Sequence, residues 1–247
     1  MGQLDGKIAW VTGAGSGVGE AAALALAQAG ASVALTGRRT EPLESVARRI
    51  EAAGGQALVA AGDVSDRALA AKVVEAIEAR FGRLDILINN AGTNVTARRW
   101  DQLSTEGIDQ VLGANLSAAF YCAVAALKPM RRQRDGVLIH TASWAGKYIS
   151  PLSGPAYTAA KHAVVAMSQT INIEDYVNGI RSTVMLPAEI ATPILDTRPK
   201  PPSPAERAKM LQPRDMADLI LFIATRPASV CLNEVVISPT ANRIYSL

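Results

Sequence analysis

The feature that most restricts what this chain can fold into is an alternation along its 247 residues. Short apolar or β-branched runs recur at 8–12, 32–36, 57–61, 85–89, 136–141, 180–185 and 234–238. Each is followed by a longer stretch with helical period, except the last. The helical stretches run from the turn at 13–19 to about Ala29, from Glu41 to Ala53, from a cap at Ser65 to Phe81, over 101–114 and 116–132, over 156–177, and from Pro213 to Ala224. Seven strands interleaved with helices predict an α/β fold, a doubly wound parallel sheet with helices on both faces. Apolar residues are 49% of the chain but aromatics only 4%, so Ala, Val, Leu and Ile must fill the core, which suits such a sheet. No repeat or linker divides 1–247, and a single domain is expected.

One segment breaks the rhythm. Residues 188–212 hold five prolines and follow the sixth strand, where a loop overlies the ligand-binding edge of the sheet. It reads as a mobile lid or as disorder. The net charge of +3 is mild, and no basic stripe or stacking aromatic series accompanies it, which argues against nucleic acid as a partner. Cys122 and Cys231 have no metal-ligand spacing and read as free thiols in a reducing compartment. No metal site is expected. No run of about twenty apolar residues suggests a membrane span, so a cytoplasmic protein is expected. His140 and His162 read as structural, while Trp100, Trp144 and Tyr148 are equally suited to packing or to a pocket wall.

Three motifs carry chemistry. The first strand runs into Thr12-Gly13-Ala14-Gly15-Ser16-Gly17-Val18-Gly19 and then into an Ala-rich helix. Glycines there let backbone amides approach a pyrophosphate lying on the positive end of the helix. The alternative is a tight turn with no ligand. The second strand ends Thr36-Gly37-Arg38-Arg39, with no acid before Glu41 to hold a ribose hydroxyl. Two guanidinium groups favour a 2′-phosphate, hence NADP(H) rather than NAD(H), unless Arg39 is a plain surface residue. Third, Tyr157 and Lys161 stand four residues apart on one helix face, about 6 Å along the axis. An ammonium beside a phenol lowers its pKa, which suits a general acid that protonates a carbonyl oxygen. Ser143 after strand five and Asn115 between two helices are expected at the same sheet edge.

In this order and spacing these elements resemble the classical short-chain dehydrogenase/reductase family over almost the whole length, including members such as 3-oxoacyl-ACP reductases. The match extends to Asp63-Val64, Asn89-Asn90-Ala91-Gly92 and Pro187 through Thr192. The resemblance implies a Rossmann-type fold and a nicotinamide-dependent oxidoreductase acting on a small carbonyl or alcohol. It implies that Tyr157 is the acid/base, that Lys161 holds the nicotinamide ribose and lowers the tyrosine pKa, that Ser143 orients the substrate oxygen, and that Asn115 holds a relay water. It further implies cofactor contacts from Gly13, Ser16, Gly17, Val18 and Gly19, from Arg38 and Arg39, from Asp63 and Val64, from Asn90, Ala91 and Gly92, and from Pro187, Ile190 and Thr192. A homotetramer or homodimer formed through the long helices is implied as well. Two departures stand out: Pro187-Ala188-Glu189 replaces the usual Pro-Gly, and the final strand ends Ser238-Pro239-Thr240 where many members have Asp-Gly-Gly. That ending resembles the branch with 3-hydroxy acid and serine dehydrogenases, and it leaves the substrate open.

Overall fold

In the computed structural model, which describes residues 2–242 and 245, the apolar runs become β1 (Ile8–Thr12), β2 (Ser32–Gly37), β3 (Ala57–Ala61), β4 (Ile86–Asn89), β5 (Gly136–Thr141), β6 (Ile180–Pro187) and β7 (Glu234–Ile237). Between them lie α1 (Gly17–Gln28), α2 (Thr40–Ala52), α3 (Leu69–Phe81), α4 (Thr105–Leu112), α5 (Ala118–Gln133), α6 (Pro155–Asp175), the single turn α7 (Pro204–Arg207) and α8 (Pro213–Ala224). All strands are parallel, in the order β3-β2-β1-β4-β5-β6-β7. The chain starts at the centre, winds out to β3 and then crosses back to β4. Beside the carboxyl ends of β1 and β4 the direction of winding reverses, and such a switch point opens a crevice.

Alternate strand residues feed two separate cores. Trp10, Leu87, Leu138 and Val184 pack against α3, α5 and α6, through residues such as Ile77, Cys122 and Met167. Val11, Leu35, Ile88 and Ile139 pack on the other face against α1, α2 and α8, through Leu26, Ile50 and Ile220. This two-sided burial is why the strands read as nearly continuous apolar runs. The molecule is one Rossmann-type domain.

Four local readings change. Residues 105–133 form one helix with a π-helical turn at Gly113–Ser117, where two helices were expected. By length and composition alone this 29-residue helix could cross a membrane. Two helices divided at Asn115, as expected from sequence, would each be too short for this. Half of the continuous helix's apolar window is buried in the protein, the face bearing Cys122, Ala123 and Ala126 lying in the core. Ser65 caps no helix. The Asp63 carboxylate accepts its N–H (2.9 Å) and hydroxyl (2.7 Å), so α3 starts only at Leu69. Asp85 stays outside β4 and accepts from Ile8 N–H, Arg83 and Lys7, tying β1 to β4. Finally, 188–212 is folded: a 3-10 turn (Pro193–Thr197), α7 with a Ser203–Glu206 capping box, and a bridge from Ile190 to Leu211. Pro193 and Pro204 each open a helical turn, where their missing N–H costs nothing. The disordered reading of this segment is set aside.

Candidate active site

At the switch point the ends of β1 and β4 are fastened together. Thr12 Oγ1 accepts the N–H groups of Asn90 (2.9 Å) and Ala91 (3.0 Å), and Asn89 Nδ2 donates to Ala119 O (2.8 Å) on α5. Beyond these ends lies a cleft of about 680 Å³. Gly13, Ser16, Gly17 and Val18 line one end, and Gly17 opens α1 with a φ of +58° that side chains rarely adopt. A Cβ there would also meet Thr192 Cγ2 at 3.0 Å, so the 188–212 segment reaches across this turn. Gly19 does not line the cleft. It lies beneath, where a Cβ would stand 2.2 Å from Gly13 O, so its expected role becomes close packing of helix on turn.

Arg38 and Arg39 both line the cleft and are exposed, and among the described residues neither forms an ion pair. Asp63 and Val64, Asn90 to Gly92, and Pro187, Ile190 and Thr192 line it too. Partial burial works to raise the Asp63 pKa, but the Ser65 hydrogen bonds and the charge of Arg38 outweigh it and hold the carboxyl low. A cationic pocket next to an acid already engaged by Ser65 suits a phosphate better than a ribose hydroxyl.

Tyr157, Ser143, Lys161 and Asn115 gather at the opposite end. Ser143 follows β5, accepts the Ala145 N–H (3.2 Å) and is hydrogen-bonded to Tyr157. Lys161 is buried and its Nζ donates to Thr141 O (2.8 Å), 5.5 Å from the Tyr157 ring centre. Asn115 lies in the π turn, a local widening frequent at functional sites. Its Nδ2 donates to Val111 O (2.8 Å) and Thr93 O (2.7 Å). Among the described residues its Oδ1 is buried without a partner, 2.7 Å from where a Gly92 Cβ would lie; Lys161 Nζ is 3.6 Å from the same point. An orphaned acceptor beside an ammonium in a glycine-lined hollow is a place for a hydroxyl or a water. The residues at both ends of the cleft therefore fit a dinucleotide.

One expectation is corrected. Burial pushes the Tyr157 pKa above its ordinary value, although the Ser143 hydrogen bond and the charges of Arg198 and Arg98 pull it down. Lys161 reaches to 5.5 Å from the Tyr157 ring centre. Its ammonium is turned to the Thr141 carbonyl, and burial brings its own pKa down to about 8.

His140, on β5, is fully buried, both ring nitrogens lack partners among the described residues, and burial with the Lys161 charge holds its pKa at about 3. A folded-state pKa below the unfolded value of about 6.5 means that the unfolded chain binds the extra proton, so stability is lost as pH falls below 6.5. Urea unfolding of wild type should therefore lose about 2 kcal/mol more than His140→Leu between pH 7.5 and pH 5. Equal losses would contradict this. His162 Nδ1 lies 2.9 Å from Thr158 O and is structural, as expected. Trp144 lines the cleft, whereas Trp100 is 82% exposed and Tyr148 stacks on Trp144 at 4.5 Å outside the lining. Cys122 is buried and its thiol is pushed up to about 12; Cys231 is half-buried, and both are free.

A family model for short chain dehydrogenase matches residues 7–202. The chain belongs to the short chain dehydrogenase family. It is 35% identical over 239 residues to an uncharacterized oxidoreductase of Staphylococcus aureus, covering 97% of this chain and 100% of that one. It superposes on an alcohol dehydrogenase of the archaeon Thermococcus sibiricus complexed with 5-hydroxy-NADP, with a TM-score of 0.85, 28% identity and 95% and 97% of the two chains covered. A 3-ketoacyl-(acyl-carrier-protein) reductase from Brucella melitensis complexed with NADH superposes with a TM-score of 0.87, 28% identity and 97% and 99% covered. The chain is thus an oxidoreductase of a family that works with NAD(P) on small molecules.

Sequence reasoning missed the cations around Tyr157. Arg98 is 6% exposed and lines the cleft, while its neighbour Arg99 points outward toward Asp101 (3.5 Å). Nothing in an Arg-Arg pair says which side chain turns inward. Glu189, which follows Ala188 at the position of the usual glycine, is buried and ion-paired to Arg198.

Proposed function

We propose that this short chain dehydrogenase reduces a carbonyl compound with NADPH, and runs the same reaction backwards on the alcohol. The carrying observation is one cleft that has two unpaired arginines at one end and the Ser143–Tyr157–Lys161–Asn115 group at the other. When bound, NADPH supplies the hydride to the carbonyl carbon. Residues 13–18, Arg38, Arg39, Asp63 and Val64 hold its adenosine end, with Arg38 and Arg39 on the 2′-phosphate. Asn90 to Gly92, Lys161, Pro187, Ile190 and Thr192 hold its nicotinamide half. Ser143 Oγ fixes the carbonyl oxygen, and Tyr157 Oη gives it the proton. The Asn115 Oδ1 and Lys161 Nζ hollow then restores that proton through a water. Ketone, NADPH and one proton become alcohol and NADP⁺. Residues 188–212 act as the lid, since Thr192 overlies Gly17 and both Thr96 Oγ1 (3.1 Å) and Arg98 Nη2 (2.8 Å) hold Thr197 O.

A screen of ketones that follows NADPH absorbance tests this directly. Consumption of NADPH by at least one ketone supports it, and a blank screen with bound NADPH favours a cofactor-sensing protein instead. The NADH in the Brucella relative favours a second reading, NAD-linked alcohol oxidation. Tighter binding of NAD(H) than of NADP(H) would decide for it.

Two copies are expected to associate through α5 and α6. Phe120, Val124, Ile173 and Tyr176 expose apolar surface there, Ile173 by 72%. Light scattering should give a dimer or tetramer, and Ile173→Glu with Val124→Glu should give monomer.

A further inference from the structure

Arg98 is a buried cation that, among the described residues, has no anion. Its Nη2 donates to Thr197 O (2.8 Å) and lies at the limit of a bond to Thr197 Oγ1 (3.5 Å), and Nη1 reaches Leu152 O (3.4 Å). Nε is buried with no partner among the described residues. Among the described residues its guanidinium pairs with no carboxylate, whereas the buried acids Asp85, Asp175 and Glu189 are each paired with an arginine. Holding an unpaired guanidinium at 6% exposure is costly, and arginine cannot escape the cost by losing its proton.

Its position is fixed relative to the chemistry. Gly154, the residue before α6, lies against the Arg98 backbone so closely that a Cβ would stand 2.5 Å from Arg98 O. Asn94 Nδ2 donates to Ser153 O (2.9 Å) in the same seam. The segment carrying Arg98 is thus docked on the start of the helix that bears Tyr157, three residues further along. The charges of Arg98 and Arg198 both act on the Tyr157 hydroxyl. Arg198 is committed to Glu189, whereas Arg98 lines this half of the cleft with no carboxylate paired to it among the described residues.

We propose that Arg98 anchors a carboxylate on the substrate, so that the carbonyl compound reduced here is an oxo acid and the alcohol formed is a hydroxy acid. This rests on the reductase reading above and adds the chemical class of the substrate to it. A carboxylate near the reacting carbonyl would complete the fork of Arg98 with the charge-assisted bonds that its neutral carbonyl partners cannot supply. Arg98 is a specificity residue in this scheme and takes no part in proton transfer.

The test compares pyruvate, acetoacetate and levulinate with their methyl esters, using wild type, Arg98→Gln and Arg98→Lys with saturating NADPH. Wild type should favour at least one acid over its ester about thirtyfold in kcat/KM, a charge-assisted hydrogen bond's worth. R98Q should lower kcat/KM about tenfold more for that acid than for its ester, mainly through KM, while R98K recovers part of the preference. If R98Q is too unstable to assay, the acid-to-ester ratio of wild type and R98K decides. Esters turned over as well as acids would overturn the proposal while leaving the reductase reading in place. An equal loss for acid and ester in R98Q would overturn it too, as would a loss of NADPH affinity matching the loss for the acid. No turnover of acids or esters, alongside turnover of other ketones, refutes the oxo-acid class. No turnover of any ketone removes the reductase reading itself.

Discussion

Replacing Tyr157 with Phe should lower turnover about a thousandfold, while the Kd for NADPH stays within about twofold of wild type. The substitution removes one oxygen and keeps the ring, which remains on α6 beside Lys161. What is lost is the hydroxyl that Ser143 bonds, which in the proposed reaction donates to the carbonyl oxygen. The Tyr157 pKa is raised by burial, and the cations Arg98 and Arg198 restrain that rise. A phenol kept protonated is a ready acid for the reducing direction, and it must be drawn toward phenolate to work as a base in the oxidising one. The ratio of alcohol oxidation to ketone reduction should therefore increase with pH in wild type. Retention of full activity by Tyr157→Phe would remove it from the chemistry.

The second large effect belongs to Arg38. Changing it to Asp replaces an exposed guanidinium at the end of β2 with a carboxylate, beside Asp63. Repulsion then takes the place of a charge-assisted pair, and NADPH should bind about a hundredfold more weakly. NADH, whose ribose hydroxyls a carboxylate can accept, should bind as well as before or better. Isothermal titration with both cofactors checks this. An NADPH affinity untouched by the change would mean that Arg39 alone, or neither arginine, meets the phosphate.

The architecture was legible because each strand is buried on both faces and punctuated by helix. Residues such as Val11 and Trp10 sit in opposite cores yet read alike in sequence. The positions of Tyr157, Ser143 and Lys161 at one end of the cleft followed from that topology. What escaped prediction depended on contacts between distant segments. Asn115 lies in a widened helical turn that propensity does not mark, and its orphaned Oδ1 is visible only beside Gly92 and Lys161. The direction of the Tyr157 pKa was misjudged because spacing gives the separation of two side chains but not their solvation. Lys161 turns to a backbone carbonyl, and burial dominates both groups. The order in 188–212 was hidden by its prolines, two of which open helical turns. Arg98 and Arg198 became noticeable only once folding had brought the segments after β4 and β6 to the same tyrosine.

The central claim is hydride transfer in this cleft under proton control by Tyr157. Its most direct test supplies wild type and Tyr157→Phe with a ketone and NADPH carrying deuterium at the transferring carbon of the nicotinamide, and reads the alcohol by mass spectrometry and NMR. Wild type should give deuterium on the carbinol carbon, with a single stereochemistry, and the variant almost no alcohol. Alcohol without deuterium, or labelled alcohol from both proteins at equal rates, would contradict it.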